Sequence, residues 1–270
     1  MTAREALATA EQRLAAAGID SPRVDAELLL AHVLGTTRSG VYADLDREVD
    51  GSLEPLLSRR EQREPLAYVL GDWDFRRLTL KTDARALVPR PETEVVVERC
   101  LALLADVRAP RVVDIGTGTG AVALSIAHER PDALVTATDI SPDALALAQE
   151  NAQANGLAVA FVESDLLAAV EGSFDLVVSN PPYVVAAELE ELEPEVRDWE
   201  PRGALLDEGQ TARLAVEARA CLDGWLELEV HAEHAEDVAS TLTSLGYEGA
   251  TVCRDLASRE RMVEAWWRPT

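Results

Sequence analysis

The sequence predicts an α/β protein in which a small helical domain precedes a doubly wound, mostly parallel sheet. From Arg111 onward, short apolar runs alternate with helical stretches, a pattern typical of a parallel sheet with helices on both faces. Over the first seventy or so residues, the apolar positions recur instead at helical spacing. We therefore expect a helical domain over residues 1–72, a linking β-hairpin over 73–90 and an α/β domain over 91–270.

Start and stop signals set the elements of the first two regions. One helix is expected to end at Gly18, and a second to begin at Ser21-Pro22, with Ser21 as the capping residue, and to end at Gly35. A third helix is expected in "LEPLLSRREQREP", before Pro65. Alternating apolar and polar residues in "DFRRLTLK" predict the hairpin.

Seven strands are expected in the α/β domain. They are Arg111–Ile115, Leu134–Thr138, Val159–Glu163, Asp175–Ser179, Leu226–Val230, Tyr247–Cys253 and Met262–Trp266. Helices are expected in "AVALSIAHER", in "DALALAQENAQANG" and, as a short piece, in "DLLAAV". Because too little chain joins the last two strands for a helical crossover, we expect them to form an antiparallel pair.

Composition disfavours several classes of partner. The formal net charge is −24 and the sequence pI is about 4.5, which opposes direct nucleic-acid binding because that relies on Lys and Arg displacing counterions. The cysteines (Cys100, Cys221 and Cys253) lack metal spacing and indicate three buried thiols in a reducing cytosol. His231 and His234 are interpreted as a solvated helix start in preference to a metal site.

The same reasoning gives an expectation for location. The N-terminal residues lack the apolar segment of a signal peptide, and no apolar run approaches the roughly 18 residues needed to span a bilayer. We therefore expect a cytoplasmic protein with no membrane, metal or direct nucleic-acid partner.

A glycine-rich loop, "DIGTGTG", follows the first strand of the predicted sheet. Gly116, Gly118 and Gly120 let the backbone approach a ligand closely at the start of a helix. Asp139 ends the next strand, where a carboxylate can accept hydrogen bonds from ribose hydroxyls. The glycine spacing differs from that of pyrophosphate-binding loops, and Asp114 before the loop can hold an ammonium group. These residues point to S-adenosylmethionine, which ends in a zwitterionic amino acid.

Two further segments complete the predicted site. "ESDLL" places Asp165 to accept from the exocyclic amine of adenine and Leu166 to cover the ring. "VVSNPPYV" leaves the fourth strand through a stiff Pro-Pro turn. There the side-chain oxygen of Asn180 and the carbonyl of Pro181 can grip both hydrogens of a planar –NH2 group, with Tyr183 stacked behind it. Drawing those hydrogens out of plane restores lone-pair character to a poor nucleophile and aims it at a methyl donor.

Further motifs accompany these two, namely "PLAYVLGDWDF", "LVPRPETE", "EPRGALLDEG" and "RDLASRERMV". Over nearly its whole length the chain resembles the HemK/PrmC family of release-factor glutamine methyltransferases. The resemblance implies a class I S-adenosylmethionine-dependent methyltransferase fold and methyl transfer to N5 of the glutamine in the Gly-Gly-Gln motif of peptide chain release factors. We assign recognition of this protein substrate to residues 1–72, and we expect a monomer.

The resemblance also implies roles for particular residues, with "PRPETE" covering the site. The residues expected to bind the cofactor are Gly116, Thr117, Gly118, Thr119, Gly120, Asp139, Asp165, Leu166 and Asn180. The residues expected to bind the glutamine and orient it for catalysis are Asn180, Pro181, Pro182 and Tyr183. Leu166 stands where family members often carry an aromatic residue. "EVH" replaces the usual "EIG" at the end of the fifth strand.

Three rival functions fit less of the sequence. An N6-adenine methyltransferase acting on DNA or RNA uses the same NPPY chemistry on a flipped base, but the acidic charge and the lack of a basic recognition segment disfavour it. A non-catalytic binding module would not need an intact NPPY motif. A nicotinamide oxidoreductase is disfavoured by the glycine spacing.

Overall fold

The computed structural model describes residues 1–269 and divides into two compact units. The first unit contains Met1–Asp72 together with a distant segment, Glu193–Trp199. The second contains Trp73–Leu192 and the rest of the described chain from Glu200. The first unit is therefore built from two separate stretches of sequence.

The first unit is helical. Its helices are α1 (Ala3–Ala16), α2 (Pro22–Leu34), α3 (Arg38–Ala43), α4 (Leu53–Glu61), α5 (Leu66–Leu70) and, from the distant segment, α9 (Pro194–Arg197). The three predicted helices are present, and α2 ends as expected at Gly35 in the left-handed conformation. The capping role expected of Ser21 is wrong, because its side chain makes no capping hydrogen bond and the start of α2 depends on Pro22. Short helices α3 and α5 were not predicted.

A buried arginine holds the distant segment in the first unit. Arg60 donates to Asp25 on α2 at 2.7 Å and to Glu195 on α9 at 2.8 Å. Glu195 also accepts from Arg63 at 2.6 Å. Because removing one partner of a buried charge pair leaves the other uncompensated, these contacts fix the segment strongly.

The second unit begins with the hairpin β1 (Asp72–Phe75) and β2 (Leu78–Lys81). Its other strands are β3 (Arg111–Ile115), β4 (Leu134–Asp139), β5 (Ala160–Glu163), β6 (Phe174–Ser179), β7 (Leu222–Glu229), β8 (Glu248–Arg254) and β9 (Glu260–Trp267). Its helices are α6 (Pro91–Leu103), α7 (Ala121–Glu129), α8 (Pro142–Ala154), α10 (Gln210–Glu217) and α11 (Ala235–Ser244).

Within the described residues, the strands β3 to β9 form one seven-stranded sheet in the order β5-β4-β3-β6-β7-β9-β8. Neighbours from β5 to β7 run parallel, whereas β9 is antiparallel to both β7 and β8. The predicted mostly parallel sheet with an antiparallel end is therefore confirmed. The short helix expected over Asp165–Val170 is wrong, since the stretch forms turns and Leu166 has a left-handed φ of 50°.

The sheet is covered on both faces. On the inner strand β3, Val112 packs into one apolar cluster, whereas Val113 and Ile115 pack into the other. The hairpin contributes Phe75 and Leu80 to the first of these clusters, so it packs on the sheet's own core.

Of the three thiols expected to be buried, Cys100 is buried but Cys221 and Cys253 are only partly so. Across residues 1–269, no helix combines the length and the apolar character needed to cross a bilayer. Within the same residues, no group of His, Cys, Asp and Glu side chains is arranged to hold a metal ion.

Glu227, near the carboxyl end of β7, is a polar residue at a core position. It is fully buried, and neither carboxyl oxygen has a hydrogen-bond partner in the described part of the chain. Across the sheet it pairs with Val178 on β6 and Glu264 on β9. Burial raises the pKa of Glu227 well above its usual range, and the negative charge of Glu264 raises it further.

Glu227→Leu should stabilise the protein by an amount that grows with pH. At pH values below the unfolded pKa, the acid is protonated in both states; above it, only the folded state keeps the proton, so wild-type stability falls as pH rises toward the folded pKa. Each pH unit in that window costs the wild type up to about 1.4 kcal/mol. Denaturant titrations at about pH 5 and about pH 8 measure the gap between variant and wild type.

Asp223→Leu is the matched control, because Asp223 is an exposed acid on the same strand. Its stability difference from the wild type should stay the same at both pH values. A gap for Glu227→Leu that does not widen with pH would contradict a protonated, buried Glu227.

Candidate active site

Three parallel strands end side by side and bring the predicted motifs to one edge of the sheet. Ile115 on β3 pairs with Thr138 on β4 and with Ser179 on β6. The residues that follow these three are Gly116, Asp139 and Asn180. Since neighbouring strands lie about 4.8 Å apart, the glycine loop has the carboxylate on one side and the amide on the other.

Gly116 and Gly120 differ in the space that surrounds them. Gly116 is exposed at φ 71°, and a Cβ placed there would meet no atom within 4 Å. Gly120 is buried, and a Cβ there would lie 2.9 Å from Leu124 and 3.3 Å from Ala148. Gly120 therefore permits close packing of α7, whereas Gly116 leaves its backbone open to a ligand. This open backbone next to a carboxylate fits the amino-acid and ribose groups of S-adenosylmethionine.

Two aspartates hold the glycine loop in place through hydrogen bonds. Buried Asp114 accepts from the hydroxyl of Thr117 at 2.7 Å and from a backbone N–H of α7 at 3.2 Å. Burial raises the pKa of Asp114 to about 7. Asp139 accepts from the backbone N–H groups of Gly118 at 3.0 Å and Ser141 at 2.9 Å, and burial raises its pKa as well. Each carboxylate therefore orders the loop whatever ligand contact it also makes.

The segment after β5 offers a weaker frame for an adenine. Asp165 is exposed and forms an ion pair with Arg213 at 2.9 Å. Leu166 is partly buried and packs against the apolar cluster that also contains Leu167. The adenine contacts expected of Asp165 and Leu166 stay predictions.

Backbone carbonyls anchor the NPPY segment at both ends. The Ser179 hydroxyl donates to the carbonyl of Ile115 at 2.7 Å, and the Val184 N–H donates to the carbonyl of Leu205 at 2.9 Å. Between these anchors, Pro181 is buried, while Asn180, Pro182 and Tyr183 are partly exposed.

The ring of Tyr183 has one aromatic neighbour and one cationic neighbour. Its ring centroid is 6.0 Å from that of His231 and 5.9 Å from the guanidinium carbon of Arg261. Burial raises the pKa of Tyr183, so its phenol stays neutral near pH 7. His231 is therefore a neighbour of the predicted stacking residue.

Two residues of the site were missed by the sequence analysis. Asn180 Nδ2 donates to the hydroxyl of Thr93 at 3.4 Å, and that hydroxyl donates to Glu229 at 2.7 Å. Thr93 and Glu229 are buried, and burial raises the pKa of Glu229 to about 7. Thr93 belongs to the quoted "PRPETE" motif, which was the one signal that could have drawn attention to it.

Glu200 joins two of the motifs that carry the family resemblance. This buried carboxylate of "EPRGALLDEG" accepts from the backbone N–H of Val88 at 3.1 Å and from Arg90 at 2.7 Å. Both partners belong to "LVPRPETE", so Glu200 fixes the chain that leads into α6 and Thr93. The covering role expected of "PRPETE" stays a prediction.

Comparisons with known proteins agree with this geometry. Residues 94–193 match the methyltransferase small domain family model, and residues 5–71 match the PrmC N-terminal domain model. The chain is 45% identical to the release factor glutamine methyltransferase of Deinococcus radiodurans, over 98% of each chain. It is 40% identical to that of Moorella thermoacetica over 99% of each chain, and 42% identical to that of Salmonella typhimurium over 90% of this chain and 91% of the relative.

Solved structures share the fold at lower identity. The hMettl16 catalytic domain in complex with an RNA hairpin aligns with a TM-score of 0.60 at 16% identity, covering 79% of this chain and 81% of that one. The Thermus thermophilus 16S rRNA methyltransferase RsmC, in complex with AdoMet and guanosine, aligns with a TM-score of 0.55 at 20% identity, covering 73% and 50%. At these identities the likeness concerns the fold alone.

Asp139→Ala should weaken binding of S-adenosylmethionine more than it slows the methyl transfer. A ribose contact is made in the ground state and the transition state alike, and the loop also loses the anchor at Gly118. Calorimetry gives the affinity, and steady-state kinetics should show a raised KM for the cofactor with a smaller change in kcat. A collapse of kcat at unchanged cofactor affinity would assign Asp139 a different role.

Proposed function

The chain belongs to the release factor glutamine methyltransferase family, and on that premise we propose that it methylates N5 of the glutamine in the Gly-Gly-Gln motif of peptide chain release factors. The names of its full-length relatives support release factors as the substrate. The PrmC N-terminal domain match over residues 5–71 supports the same assignment.

The orientation of the Asn180 amide is the observation that carries this proposal. Its Nδ2 donates inward to Thr93, which leaves Oδ1 as the free end. Together with the carbonyl of Pro181, held in a stiff Pro-Pro turn, this gives two acceptors for the two hydrogens of a planar amide. A glutamine side chain presents such a group at the end of a flexible stem.

The residues act by orientation rather than by acid–base catalysis. Asn180 and Pro181 draw the amide hydrogens out of plane, so that the nitrogen lone pair becomes available in line with the methyl group. Tyr183, with its phenol kept neutral, stacks on the amide plane. The extra proton leaves the nitrogen after the transfer, so no general base has to act first.

The cofactor would be held by the glycine loop and Asp139. When bound, S-adenosylmethionine supplies an electrophilic methyl group. The open backbone at Gly116 would bind the amino-acid end of S-adenosylmethionine, and the Asp139 carboxylate would bind its ribose. These roles rest on the adjacency of the two residues at the sheet edge.

Adenine in a nucleic acid remains the rival substrate. A flipped adenine also presents a planar –NH2 group. The net charge of −24 opposes approach to a phosphate backbone, and this argument favours the protein substrate.

The direct test is methylation of a purified release factor. The full-length enzyme, S-adenosylmethionine and the factor should give a single mass increase of one methyl group on the Gly-Gly-Gln peptide. An adenine-containing oligonucleotide is the parallel substrate. Methylation of the oligonucleotide without methylation of the factor would overturn the proposal.

Asn180→Ala should retain cofactor binding and lose most of the methyl transfer. Loss of one oriented hydrogen bond in such a site costs about 2–4 kcal/mol in the transition state. Calorimetry with S-adenosylmethionine and a turnover assay separate the two effects. Turnover within a few-fold of the wild type would contradict the assigned role.

We also propose that the first unit recognises the protein substrate, because a glutamine amide is too small to be selected by the catalytic site alone. A variant lacking residues 1–72 should bind the cofactor nearly normally but lose the preference for an intact factor over a short Gly-Gly-Gln peptide. This variant should also carry Glu195→Gln, since deletion removes Arg60 and Arg63 and leaves the carboxylate unpaired.

Full-length Glu195→Gln is the control for the truncated variant. It should keep the wild-type preference between factor and peptide, because the glutamine amide oxygen can still accept from Arg60, which also keeps its partner Asp25. A truncated variant that binds the cofactor and still prefers the intact factor as strongly as the wild type would refute the recognition role.

A further inference from the structure

We propose that Thr93 and Glu229 are positioning residues that fix which end of the Asn180 amide faces the substrate. The inference rests on the proposed function and deepens it, because it explains how the acceptor end of Asn180 is presented to the glutamine. Neither residue needs to touch the substrate to do so.

The Thr93 hydroxyl has a single proton to donate. Above its pKa of about 7 Glu229 is ionised and can only accept, so that proton is donated to Glu229 Oε2 over 2.7 Å. Toward Asn180 the hydroxyl can therefore only accept, and of the two ends of the amide only Nδ2 can donate. A flipped amide would set Oδ1 against oxygen lone pairs and would turn a donor toward the substrate, where an acceptor is required.

Rigid elements carry all three groups. Ser179 on β6 pairs with Leu228 on β7, and Asn180 and Glu229 are the residues that follow them. Thr93 lies in the first turn of α6, which begins at Pro91. We call the chain of hydrogen bonds from Glu229 through Thr93 to Asn180 the relay. It connects a helix start to two adjacent strand ends, and its geometry does not depend on a flexible loop.

Burial of this relay argues for a role beyond stability. Thr93 is 6% exposed and Glu229 1% exposed. An apolar pair of similar volume would fill this space at lower desolvation cost, since a buried carboxyl group is expensive to keep. What an apolar pair cannot do is impose a direction on a neighbouring amide.

Thr93→Val keeps the volume and removes the hydroxyl. At a pH well above the Glu229 pKa of about 7, we expect kcat on the release factor to fall about 10- to 100-fold, because a misdirected amide no longer aligns the nucleophile. Cofactor affinity, measured by calorimetry, should stay within about twofold, because the ligand loop is untouched. Thr93→Ser restores the hydroxyl and should recover most of the lost kcat.

Thr138→Val is the matched control. Its hydroxyl is also buried, and within the described residues it has no hydrogen-bond partner. The same change of side chain should therefore leave kcat unaltered.

Glu229→Gln tests the other end of the relay. A glutamine amide can donate to the Thr93 hydroxyl, which frees that hydroxyl to donate to Asn180 Oδ1 and favours the flipped amide. We expect a loss of kcat at least as large as in Thr93→Val. The double variant should lose no more than the worse single variant, because both act through one group.

The outcomes separate this inference from the proposed function. A wild-type enzyme that does not methylate the release factor overturns the proposed function itself. An active wild type with Thr93→Val at wild-type kcat overturns the relay alone. The relay is also overturned if Thr93→Ser fails to recover kcat, or if Thr93→Val loses cofactor affinity or unfolds, since each indicates a structural role. If Thr93→Val unfolds, Glu229→Gln serves as the second test, and a wild-type kcat for that variant would also count against the relay.

Discussion

The parallel register of β4, β3 and β6 is the constraint on which the candidate site depends. In a parallel sheet all carboxyl ends reach the same edge, so one pairing of Ile115 with Thr138 and Ser179 brings the glycine loop, an acid and the NPPY segment together. A slip of one residue would turn each side chain to the opposite face. The apolar clusters on both faces oppose such a slip, because every residue of the inner strand β3 except the first is buried.

The buried acids of the second unit divide by what surrounds them. Asp114 and Glu229 both have pKa values near 7, and each is hydrogen-bonded to a threonine next to a predicted ligand group. Glu227 lies two residues before Glu229 and has no such partner in the described chain. A carboxyl group with a hydroxyl partner can direct its neighbours, whereas one without a partner only makes folding sensitive to pH.

Most of the fold could be predicted because it depends on local pattern. The seven strands follow apolar runs, and Asn180 follows one of them in a motif with a chemical explanation. The contact between Thr93 and Glu229 could not be found in this way, because the two residues are 136 apart in the chain and only the fold brings their side chains together. The turn at Leu166 was missed because its apolar neighbours have helical spacing, whereas its left-handed backbone depends on tertiary packing.

The two-part composition of the first unit also has a consequence for the order of folding. Domains generally fold from the N-terminus while synthesis proceeds at about 5–20 residues per second. Arg60 can meet Asp25 early, but Glu195 lies 135 residues farther along the chain and emerges seconds later. The helical unit therefore forms first around an incompletely paired arginine, and arrival of the distant segment completes it.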